Sequence, residues 1–301
     1  MPDEPAIAAQ DLHSASRSPR GRWLVAGVVV VAMAATGFVV SRNGRSSSAA
    51  DTGEAPRFVD DTGLSGVDHS YDGEYEFFVG GGVAAFDCDG DGFDDLYLAG
   101  GAAPAALYRN ESEVAGALRF ERLTSPVTDL TAVTGAYPID VDSDGLTDLA
   151  VLRRGANAVL RGVGDCRFED ATGDLGLDAG DEWTTAFSAT WEGTNALPTL
   201  AFGNYRTIDD DACADNSVVR PSPAGAGYDG PIALTGFCTL SVLFSDWDRS
   251  GRRDLRASND RNYYTDGREQ LWRMDLDAAP SEYTEAQGWR PLQIWGMGIA
   301  S

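Results

Sequence analysis

Asp87-Cys88-Asp89-Gly90-Asp91-Gly92-Phe93-Asp94-Asp95-Leu96 is the stretch on which the reading of this chain turns. Acids alternate at positions 1, 3 and 5, Gly follows at position 6, and another Asp stands at position 9 just before an apolar run. The same frame returns at Asp140-Val141-Asp142-Ser143-Asp144-Gly145-Leu146-Thr147-Asp148-Leu149 and at Asp246-Trp247-Asp248-Arg249-Ser250-Gly251-Arg252-Arg253-Asp254-Leu255. The common form is D-x-D-x-D/S-G-x-x-D-L. The first two copies start 53 residues apart and the second and third 106, twice that interval. A further copy is therefore expected near residue 193, and Phe187–Asn195 with the following Leu200-Ala201-Phe202 reads as one that has lost its carboxylates. Such self-similarity at a fixed period marks a repeat architecture.

A second marker keeps the same beat. Phe58-Val59-Asp60-Asp61-Thr62-Gly63 and Phe168-Glu169-Asp170-Ala171-Thr172-Gly173 share F-x-D-x-T-G, and Phe120 and Tyr283 stand in partial copies. Each period holds about four short apolar runs. In the first these are 82–86, 96–99, 106–110 and 118–123; in the second, 136–139, 149–152, 158–161 and 167–169. Runs this short and this interrupted by Gly exclude long helices and point to strands. The fold class expected is all-β, a β-propeller of four-stranded blades with Asp-rich loops. About four blades are present, and the array reads as incomplete because a new repeat would open near residue 299.

Acids at positions 1, 3 and 5 converge when the backbone curls, Gly at position 6 permits the sharp turn, and the carbonyl at position 7 with the Asp at position 9 completes an oxygen cage. Oxygen-only ligands suit a hard cation such as Ca2+. The expected ligands are Asp87, Asp89, Asp91, Phe93 and Asp95; Asp140, Asp142, Asp144, Leu146 and Asp148; and Asp246, Asp248, Ser250, Arg252 and Asp254. An EF-hand is excluded, because position 12 is Leu98, Val151 and Ala257 rather than Glu and strands flank the loops. Plain solvated Asx turns are the competing reading of any single copy. The third loop has Ser250 in place of Asp and three Arg beside it.

Trp23–Val40 runs 18 residues without a charge, with Arg17, Arg20 and Arg22 before it and Arg42 and Arg45 after it. That length spans a bilayer core, and the flanking bias favours the N-terminus inside. The organisation read from this is a cytoplasmic tail over 1–22, a transmembrane signal anchor over 23–40, a small polar linker over 41–57 and the repeat domain over 58–301. Cleavage at Ala32-Met33-Ala34 is the alternative, which would make the chain secreted. Both place the repeats outside the cytoplasm. There, the four cysteines are expected in disulfides. Cys213–Cys238 would staple a Pro/Gly-rich insertion over 214–237, which leaves Cys88–Cys166; buried free thiols are the other possibility.

The net charge of -24 on a chain of 301 residues excludes a nucleic-acid partner. No Ser/His/Asp or Cys/His set is present, with only His13 and His69 in the chain. Of the tryptophans, Trp183, Trp191, Trp247, Trp272, Trp289 and Trp295 are read as mostly core, with a carbohydrate-binding face as the rival reading. The polar, aromatic stretch Asn259, Asp260, Arg261, Asn262, Tyr263 and Tyr264 is the candidate partner surface.

The three Asp loops, with the approach Val83-Ala84-Ala85-Phe86 and the exit Asp95-Leu96-Tyr97-Leu98, resemble FG-GAP/VCBS repeats. Those are similar to the blades of integrin α-subunit propellers, which typically number seven. Leu243–Arg256 and Ser258–Arg261 are closer still to cartilage-acidic-protein-like members. The resemblance implies an extracellular calcium-binding propeller with an adhesion or ligand-binding role, toward a protein or glycan. A polysaccharide hydrolase or lyase using the repeats as scaffold, and a purely structural spacer, are the alternatives.

Overall fold

The computed structural model describes residues 57–223, 227–260 and 267–300. The expected cytoplasmic tail, anchor segment and nearly all of the linker lie outside them. Within the described residues the strands form four four-stranded antiparallel sheets, each a simple up-and-down meander. Sheet 1 holds β1 (Val83–Phe86), β2 (Asp95–Leu98), β3 (Ala106–Asn110) and β4 (Phe120–Leu123). Sheet 2 holds β5 (Val133–Ile139), β6 (Asp148–Arg153), β7 (Ala158–Gly162) and β8 (Phe168–Asp170). Sheet 3 holds β9 (Trp183–Thr190), β10 (Thr199–Arg206), β11 (Asn216–Val219) and β12 (Ile232–Leu234). Sheet 4 holds β13 (Thr239–Ser245), β14 (Asp254–Asn259), β15 (Gln270–Arg273) and β16 (Ser281–Glu282).

Side chains alternate across a strand, so a sheet between two others must be apolar on both faces. β6 shows this directly: Leu149 and Val151 pack with Phe86, Tyr97 and Leu107 of sheet 1, while Ala150 and Leu152 pack with Phe187, Leu200 and Phe202 of sheet 3. β10 repeats the arrangement, with Leu200 and Phe202 toward sheet 2 and Ala201 toward Val242, Phe244, Leu255 and Trp272 of sheet 4. Three apolar layers thus alternate with four sheets. At the margin, β4 of sheet 1 has no buried residue.

Sheet 3 corrects two expectations. Its β9–β10 connection runs from Trp191 to Pro198, so the degenerate copy begins two residues before the position the spacing gave. The Pro/Gly-rich stretch 214–237 is not an insertion between repeats. It supplies β11 and β12, with Val218, Val219 and Leu234 buried, and Tyr228 between them is buried as well. Both disulfides are present. Cys213–Cys238 joins the stretch after β10 to the entry of β13, and Cys88–Cys166 joins the first Asp loop to the β7–β8 turn of sheet 2.

Candidate metal sites in the Asp loops

Every Asp loop connects the first strand of its sheet to the second, and all three share one backbone path. Position 6 is left-handed at Gly92 (φ 88), Gly145 (φ 86) and Gly251 (φ 87). Position 4 is left-handed too, at Gly90 (φ 82), Ser143 (φ 63) and Arg249 (φ 58). The path is held by the Asp at position 1, whose oxygens accept amides from across the turn. Asp87 accepts Gly90 (2.7 Å) and Gly92 (2.9 Å), Asp140 accepts Asp144 (3.2 Å) and Gly145 (3.1 Å), and Asp246 accepts Ser250 (2.8 Å) and Gly251 (3.0 Å).

The Asp at position 9 opens the second strand and is buried in all three: Asp95, Asp148 and Asp254 are at most 1% exposed. It ties the loop to the third strand. Asp95 accepts the amides of Cys88 (2.7 Å) and Asn110 (2.8 Å); Asp148 accepts those of Val141 (2.8 Å) and Gly162 (2.8 Å). Neutral amides only partly offset the burial of a carboxylate. Burial therefore pushes the Asp95 carboxyl up, helped by Asp89 and Asp91, and pushes Asp148 up to about 6, helped by Asp142 and Asp144.

The first two loops gather ligand atoms. Carboxylate oxygens of Asp87, Asp89 and Asp95 lie within 4.8 Å of one another, as do those of Asp140, Asp142 and Asp148. The position 5 acids stand outside both groups: Asp91 and Asp144 turn back to accept the amides of Phe93 and Leu146, each at 2.8 Å. Three carboxylates this close repel strongly without a cation. In the second loop Arg161 binds Asp142 Oδ2 (2.6 Å), leaving the buried Asp142 Oδ1 without any partner. An orphaned buried oxygen on one of three grouped carboxylates fits a hard cation.

The third loop is built differently. Asp254 receives Arg252 in a two-pronged pair (2.7 and 3.2 Å), the Tyr283 hydroxyl (2.9 Å), the Trp247 indole (2.9 Å) and the Met274 amide (3.0 Å). Burial alone would raise its carboxyl, but the Arg252 fork and these further donors hold it below the usual carboxylate range. Arg252, expected to lend a backbone carbonyl to a metal, instead supplies the positive charge itself. In sheet 3 the frame reads Trp191 at position 1 and Thr199 at position 9. Thr199 donates to Glu192 (2.6 Å), and Glu192 takes Arg220 in a two-pronged pair at 2.9 and 3.0 Å. Arg220 also reaches the Asp275 and Ala278 carbonyls of sheet 4. Arg252, Arg161 and Arg220 were not legible as partners, because each meets its carboxylate only through the hairpin geometry.

The candidate partner surface is altered. Asn259 is fully buried, accepting Thr239 Oγ1 (2.7 Å) and donating to the Arg268 carbonyl (2.6 Å), so it offers no surface. Asp260 is partly buried and accepts the Tyr205 hydroxyl (3.0 Å). Arg261, Tyr263 and Tyr264 lie outside the described residues.

Residues 87–151, from the first Asp loop through the second and into β6, match the FG-GAP-like repeat. No curated protein matches the chain. Among solved structures, the chain is similar to one described as "Crystal structure of BBS1N in complex with ARL6DN, soaked with lead", at 13% identity and a TM-score of 0.35. That likeness covers 69% of this chain and spans 56% of the other.

Proposed function

We propose that this chain is a non-catalytic, calcium-stabilised propeller-like module, held outside the cytoplasm, that binds an extracellular protein or glycan. One contrast carries the reading: the buried carboxylate of the third loop is forked by its own guanidinium, whereas those of the first two loops accept backbone amides and have other acids beside them, with Arg161 bound to Asp142 rather than to Asp148. Asp87, Asp89 and Asp95 would hold one ion, and Asp140, Asp142 and Asp148 a second. The ion would supply the positive charge that Arg252 supplies in sheet 4 and thereby clamp each β1–β2-type hairpin. The sheets become blades in this reading. Two disulfides support an oxidising compartment, and the apolar segment 23–40 supports attachment to a membrane.

Thermal melting of the full chain tests it. Calcium at about 1 mM, in the range typical of extracellular modules, is expected to raise the melting temperature above that in chelator, while magnesium does so less. A melting temperature indifferent to chelation would overturn the calcium reading.

A further inference from the structure

Between sheets 3 and 4 a cleft of about 580 Å³ opens beside the degenerate loop. One wall is Thr190–Gly193, the other is the Asp246–Arg253 loop, and Met274, Asp275 and Leu276 form the floor. Its size falls in the range of small-molecule sites. Trp191 stands at loop position 1, the place held by Asp87, Asp140 and Asp246 in the other copies. The residue is 48% exposed, and its indole N–H donates to the Ala196 carbonyl (3.2 Å), which fixes the ring. Leu276, 49% exposed, extends the apolar surface. Gly193 makes room for it: a Cβ there would sit 3.1 Å from Leu276 Cδ2.

Around this platform the polar groups are mixed. The exposed Arg253 guanidinium has Thr190 Oγ1 (3.3 Å) as its hydrogen-bond partner and no carboxylate among the described residues. Asp246 and Asp275 line the same cleft as acceptors. A phosphate would be repelled by those two acids, and a metal by Arg252 and Arg253. A flat, half-exposed indole ringed by both donors and acceptors suits a polyhydroxyl ring, whose C–H face stacks while its hydroxyls donate and accept.

We propose that this cleft binds a pyranose unit of a glycan, stacked on Trp191 and hydrogen-bonded by Arg253 and Asp275. The proposal deepens the binding-module reading. It does not depend on calcium, because the candidate ion sites lie in sheets 1 and 2.

The test is titration of the full chain, followed by tryptophan fluorescence and calorimetry, with the methyl glycosides of glucose, galactose, mannose and N-acetylglucosamine and with methyl glucuronide. At least one is expected to bind. Trp191→Ala is expected to weaken it at least about tenfold, as loss of an aromatic anchor does, and Trp191→Phe much less. Arg253→Gln, at an exposed side chain, carries the test should Trp191→Ala fail to fold. An unchanged calcium-dependent melting increment in the variants separates this outcome from failure of the calcium reading. Silence from all five glycosides, or binding that neither variant weakens, would overturn the proposal.

Discussion

Three aspartates at the same loop position, each buried at the start of a second strand, differ in what neutralises them, and single substitutions should expose the difference. Arg252→Leu removes the fork from Asp254 and leaves a buried carboxylate with neutral donors only. Arg252 is partly exposed, so loss of its charged hydrogen bonds to the buried Asp254 costs about 1.5–3 kcal/mol, and denaturant unfolding should show a destabilisation of that order, independent of calcium. Asp148→Asn should abolish the calcium increment of the second loop; in chelator it removes a repelling charge but leaves one of the Val141 and Gly162 amides facing an NH2 group, a net loss of about 1 kcal/mol. The pH dependence follows from the raised Asp148 carboxyl. Its folded value, about 6, stands above the unfolded value of 3.8, so the calcium-free folded state holds the proton more firmly. Its contribution to stability is therefore present below pH 3.8 and lost as pH rises through about 6. With calcium in excess the slope should reverse over the same window, because the ion needs the carboxylate ionised. Melting curves in chelator and in calcium between pH 4 and 7 check both signs; parallel slopes would refute the coupling.

The loop as an element was legible in part, and the reason lies in what each position does. Positions 1 and 9 carry side-chain functions that only Asp performs well, so the frame stands out at Asp87, Asp140 and Asp246. Sheet 3 replaces those functions with Trp191, Thr199 and a Glu192–Arg220 pair, and nothing in the order of residues shows that Arg220, at the far end of β11, completes the turn. Strands Ala106–Asn110 and Ala158–Gly162 were readable as apolar runs to within a residue, whereas β11 and β12 were hidden among Pro and Gly and read as an insertion. Position 4 escaped notice because its requirement is backbone, not side chain: it is Gly90 in the first loop but Ser143 and Arg249 in the others, all with positive φ. A non-Gly residue in that conformation costs about 1 kcal/mol, and the Arg249 side chain is exposed. Arg249→Gly should therefore raise the unfolding free energy by up to about 1 kcal/mol, offset in part by the entropy Gly adds to the unfolded chain, and shift the denaturation midpoint upward. Gly145→Ala, with open space around its Cβ, should lower stability by a similar amount through φ alone.

Across the molecule the built-in cations run in one direction. The ion pairs among the described residues leave the first loop's carboxylates untouched, reach Asp142 of the second through Arg161, and pair Glu192 of sheet 3 and the buried Asp254 of sheet 4 through Arg220 and Arg252. Reliance on an external ion should fall along the same direction, from sheet 1 to sheet 4. The sheets share apolar layers, so some of any loosening passes between neighbours, but a repeat array transmits it mainly to the adjacent unit. The Cys88–Cys166 bridge moderates it further by tying the first loop to sheet 2; its removal by Cys88→Ser with Cys166→Ser should cost about 2–4 kcal/mol and enlarge the calcium increment. Hydrogen exchange resolves the gradient directly. Chelation should speed exchange at β1, β2, β5 and β6 while the fully buried β10 and the Arg252-clamped β14 keep their protection. Uniform acceleration over all four sheets would mean that calcium stabilises the array as a single cooperative unit. Acceleration confined to sheets 3 and 4 would mean that the guanidinium pairs do not replace the ion, and the contrast between Asp148 and Asp254 would lose its meaning.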